Sequence, residues 1–69
     1  MIHNDQELQA TQERISYFQR LLAQLRVSAS AEEFPLVAGG YRSEVIRMQG
    51  DVLAYLTRHA SEPVPTDVS

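Results

Sequence analysis

The chain contains no cysteine, no lysine and no tryptophan, and only three glycines and three prolines in 69 residues. Each shortage removes a class of explanation. Without cysteine there are no disulfides and no thiolate ligands. The two histidines, His3 and His59, lack a companion at ligand spacing, so neither a metal nor a cofactor is expected. Without lysine, positive charge rests on six arginines scattered among nine acids, giving a formal net charge of −3 and a pI near 5.1. Counterion release rewards clustered cations, so this balance argues against nucleic-acid binding. No apolar run approaches the roughly 18–20 residues needed to cross a bilayer. The opening MIHNDQELQ has neither the basic nor the apolar region of a signal peptide. The expectation is a cytoplasmic chain with no membrane role.

A chain this short lies near the lower limit for a self-sufficient core. Disulfides and metals being excluded, a partner subunit is the remaining source of buried surface.

From Asn4 to Ser28 there is no Gly or Pro, and the composition is rich in Gln, Glu, Leu, Ala and Arg, which lose little entropy in a helix. Asn4 or Asp5 suits the N-cap, and Asp5 and Glu7 suit the positive end of the helix dipole. Leu8, Thr11, Ile15, Phe18, Leu22 and Leu25 recur at spacings of three and four. This is an apolar seam about three heptads long, with Thr11 its polar member and Leu21 widening its end. A helix over about 4–28 is predicted, with Leu8, Ile15, Phe18, Leu22 and Leu25 in the core.

Residues 28–33, SASAEE, break the pattern, and Ser30 with Glu33 fits a capping box. A second helix is predicted over about 31–60. Its start depends on Pro35, which either sits in the first turn or begins the helix after an irregular 32–34 segment. Tyr41, Val45, Met48, Val52 and Tyr55 form one seam, and Ile46, Leu53 and Leu56 form a second beside it. Tyr41, Met48 and Tyr55 are assigned to the core, and Val45, Ile46, Val52, Leu53 and Leu56 to an interface. Residues 61–69 hold two prolines without periodicity and read as a disordered tail. A faint internal repeat at an offset of 31 pairs Ile15 with Ile46 and Leu22 with Leu53; shared helical composition is the preferred account of it, with duplication the alternative.

Two such helices joined by a short connection should fold back as an antiparallel hairpin. The whole is expected to be all-α. One stripe per helix would be covered, leaving the second seam of the C-terminal helix wet, and a wet apolar strip of that length marks an interface. Pairing into a four-helix bundle, as a homodimer, is the central structural expectation; another protein is the alternative occupant.

Gly39 and Gly40 raise the question of a ligand loop. Phosphate-cradling loops follow a strand and carry Lys-Ser/Thr, and neither is present. The pair instead reads as a small-residue patch that lets the second helix approach Phe18, Leu22 or Leu25. Close packing would then offset the ~2 kcal/mol that two helical glycines cost relative to alanine. A kink there is the alternative. Glu32, Glu33, Glu44 and Asp51 read as solvated helix-face charges, since no Glu-x-x-His occurs for a di-metal bundle. Ser16, Ser28, Ser30 and Ser43 have no candidate base near them in sequence, so no catalytic residue is assigned and no enzymatic activity is expected.

Ile2, Asn4, Leu8 and Thr11, followed by Glu44, Val45, Asp51, Val52, Tyr55 and Leu56, resemble the helical-hairpin segment ahead of the helix-turn-helix domain in HigA-like (Xre-type) antitoxins. The likeness covers residues 2–58. It implies a dimerisation or partner-binding piece of a regulatory or toxin–antitoxin-like system. The DNA-binding domain that follows in that family has no counterpart among these residues, so DNA binding is not implied.

Overall fold

The computed structural model describes residues 1–61; residues 62–69, and with them nearly all of the expected tail, lie outside the described residues. Two helices make up the fold, α1 (Asp5–Ser28) and α2 (Phe34–Leu56), joined by the five residues 29–33. They form the antiparallel hairpin that the periodicity predicts, and among the described residues there is no strand. Near the open end the Tyr55 hydroxyl reaches Asp5, and nearer the connector the rings of Phe18 and Tyr41 meet with centroids 5.6 Å apart.

α1 starts where its capping residues dictate. Asn4 is extended (φ −154°, ψ 173°) and its side chain accepts from Glu7 N–H at 2.8 Å. Glu7 in turn accepts from His3 N–H at 2.9 Å, so one donor that the helix leaves unpaired and one from the residue ahead of the cap are both satisfied. Thr11, the polar member of the seam, returns its hydroxyl to the Glu7 carbonyl at 2.8 Å, which lets a hydroxyl stand between apolar neighbours without an unmet donor.

α2 is shorter at both ends than the 31–60 expectation. Ser30 Oγ accepts from Glu33 N–H and Ser30 O from Phe34 N–H, at 3.1 and 2.9 Å, so residues 31–33 close a turn ahead of the helix. Pro35 then falls in the first turn, where its missing N–H costs nothing. At the other end Thr57 turns its hydroxyl back to Leu53 O at 2.7 Å, and Arg58 N–H reaches only to Tyr55 O. That tightening ends the helix before Ala60. Ser61 lies in a turn against His59, its N–H and hydroxyl 3.1 and 2.7 Å from His59 Nδ1.

The expected role of the glycines is not observed. α2 runs unbroken through Gly39 and Gly40, neither has positive φ, and a Cβ built on either meets nothing within 4 Å. They face outward; Ala38, one residue earlier, is the small residue on the seam.

The core is thin. Buried side chains among the described residues are Ile2, Val45, Met48 and Val52, and none belongs to α1. Met48 is the most enclosed, at 3% exposure. The α1 seam residues Leu8, Ile15, Phe18, Leu22 and Leu25, with Tyr41 and Tyr55 of α2, are half-buried between the helices.

Candidate interaction surface

The five residues assigned to an interface separate into two groups. Val45 and Val52 are 8% and 9% exposed, so they lie in the helix–helix seam and are unavailable to a partner. Their assignment is corrected by the register: with Met48 they occupy successive three- and four-residue steps pointing at α1. Ile46, Leu53 and Leu56 point outward and are 54%, 62% and 56% exposed.

Seen along its axis the hairpin has two broad faces of different chemistry. One carries Glu7, Arg14, Glu44, Arg47 and Asp51. Arg47 donates to Glu44 at 2.7 Å and lies 3.7 Å from Asp51. Ile2 closes a shallow hollow on this face beside Thr11 and Met48 and is only 5% exposed. Sequence periodicity could not find Ile2, because it precedes the helix and obeys no helical spacing. Phe34 and Ala38, half-buried at the connector end, were missed although a signal exists: they stand seven residues before Tyr41 and Val45 respectively.

The opposite face is neutral over most of its length. Two open hollows run along it, the first bounded by Ile15, Ser16, Gln19, Gln49 and Leu53, the second by Gln19, Leu22, Ala23 and Ala38. Arg26 and Arg42 border the second hollow, toward the connector. Ile46 stands on the same line of α2 as Leu53, one heptad earlier.

Asp5 and Tyr55 close the open end. The Tyr55 hydroxyl donates to Asp5 Oδ1 at 2.6 Å, and this bond to a carboxylate, reinforced by the negative charge, raises the tyrosine above its ordinary 10.0. Glu7 is held below its ordinary 4.5, chiefly by the His3 backbone N–H that its carboxylate accepts.

Several of the groups considered for chemistry are engaged structurally. Glu44 and Asp51 serve Arg47, Ser30 caps, and Ser43 returns its hydroxyl to Gly39 O at 3.1 Å. His59 Nδ1 takes both the N–H and the hydroxyl of Ser61, two residues on, in the manner of a local turn. Among the described residues no group of three or more His, Asp or Glu side chains could hold a metal ion, and no helix is long and apolar enough to cross a membrane.

No family model, curated protein or solved structure matches this chain. The fold itself defines the class: an all-α, two-helix antiparallel hairpin.

Proposed function

We propose that this protein is a non-catalytic helical interaction module that associates through the neutral face, in the first instance with a copy of itself, to form a four-helix bundle. The observation that carries this reading is the strip Ile46, Leu53 and Leu56, each more than half exposed on one side of α2. Scattered exposed apolar residues are ordinary on soluble proteins, but three large ones on one side of a helix beside a half-open core support an association surface. Cytoplasmic location, and a place in a regulatory or toxin–antitoxin-like system, complete the reading; the latter rests on the hairpin's resemblance to the pre-DNA-binding segment of HigA-like antitoxins.

Light scattering or sedimentation on the order of tens of micromolar should give twice the chain mass. Leu53→Asp should halve that mass while the far-ultraviolet helical signal persists, because within one hairpin the aspartate would be solvated. A wild-type chain that stays monomeric and loses nothing on this substitution would reject self-association.

A further inference from the structure

The second hollow on the neutral face carries a charge pattern that self-association does not use. Its floor is the half-buried Leu22, Phe34 and Ala38, with Ala23 lowering the rim, and its only charged borders are Arg26 on α1 and Arg42 on α2. Neither hollow on this face has an acidic side chain in its wall, although acids outnumber arginines nine to six in the chain. Arg26 and Arg42 make no ion pair with any described residue, whereas Arg47 on the other face has both Glu44 and Asp51. Phe18 is level with Tyr41 and Asp5 with Tyr55, which sets Arg26 level with residues 33–34. It therefore stands roughly 12–14 Å along the hairpin from Arg42.

We propose that this hollow receives an amphipathic helix of another protein, one that presents two carboxylates two turns apart with a large apolar side chain on the turn between them. The apolar side chain enters between Ala23 and Ala38 and covers Leu22 and Phe34, and each arginine takes one carboxylate. Two turns span about 11 Å, and the long, flexible arginine stems make up the remainder. An arginine fork meets a carboxylate with two parallel hydrogen bonds, and the apolar contact beside the pair keeps water from it. The strip Ile46, Leu53 and Leu56 lies in the second half of α2, the hollow against its first half. The site is therefore separate from the residues that carry self-association and does not depend on them.

Other occupants fit this half of the face less well. A second copy laid face to face brings two more arginines and no acid from the walls of either hollow, which sets like charges against each other where water is being removed. A free anion satisfies the arginines and leaves Leu22 and Phe34 half wet. A nucleic acid meets a chain of net charge −3 with no further cation at the hollow.

The probe is a fluorescein-labelled, alanine-rich helical peptide of about 20 residues, with two glutamates seven residues apart and a leucine four residues after the first. Titrated with the full chain, its anisotropy should rise with a dissociation constant on the order of 10–100 µM. Binding should weaken about tenfold between about 50 and about 300 mM salt. Arg26→Gln and Arg42→Gln should each weaken it roughly five- to tenfold. Ala23→Glu, which sets a carboxylate of the chain's own between the arginines, should abolish it. Arg20→Gln, outside the hollow beside Tyr17 and Leu21, should leave it within about twofold, and circular dichroism should report every variant folded. A peptide that does not bind, that binds as well with lysines for its glutamates or serine for its leucine, or that ignores both arginine substitutions overturns the proposal and leaves self-association untouched. Loss of dimer mass in the Arg26→Gln, Arg42→Gln double variant gives the hollow to a second copy and overturns it too. A wild-type chain that is monomeric yet binds the peptide upholds the proposal and rejects self-association alone.

Discussion

Among the described residues Met48 is the side chain most fully withdrawn from water, and it holds the middle of the buried line Val45–Met48–Val52. Truncating it to alanine leaves a cavity flanked by a helix that has no fully buried residue of its own with which to fill it. The expected loss for Met48→Ala falls within the ~2–5 kcal/mol typical of such truncations, near the lower end because the open seam can collapse. Urea denaturation followed by circular dichroism measures it. At the open end, Tyr55 and Asp5 make stability depend on alkaline pH. Because the folded-state value of Tyr55 is raised, its contribution is complete below the ordinary 10.0 and disappears as pH climbs through the higher folded value. Melting curves across that range should show the wild type losing more than Tyr55→Phe, which has no proton to give up. Glu7 acts in the opposite sense. Its lowered value makes its contribution complete above 4.5 and lost as pH falls through the folded value, so Glu7→Gln should flatten the acid limb of the same curves.

At the scale of the elements, the glycines of α2 are positions where the helix is weaker than it needs to be. Gly40 and Gly50 have helical backbone and open space where a Cβ would go. Alanine at either should stabilise the chain by about 1 kcal/mol, through helix propensity and a less free unfolded state, and thermal melts should rise accordingly. Both helices and the seam of α1 were legible in the residues, since spacing of three and four from Leu8 to Leu25 has no competing periodicity. The seam of α2 was harder to separate from its outer strip. Val45 and Ile46, like Val52 and Leu53, are adjacent apolar pairs of which only one can face α1, and the seven-residue spacing between the two pairs fits either member. The heptad line from Phe34 through Tyr41 to Met48 does choose, but the glycine pair interrupted it on the page. The internal repeat misleads for the same reason: it pairs Ile15 and Leu22 of the α1 seam with Ile46 and Leu53, which face outward in the hairpin. The limits of α2 depended on a hydrogen bond accepted by Ser30 and one donated by Thr57, and the burial of Ile2 on a segment with no periodicity to read.

For the whole molecule, the open end is the place where both flanks of the hairpin depart, since the Tyr55–Asp5 bond holds the start of α1 against the finish of α2. The connector 29–33 stands alone at the other pole, one helix length, ~35 Å, away, so the hairpin keeps its two flanks together and turns a single loop outward.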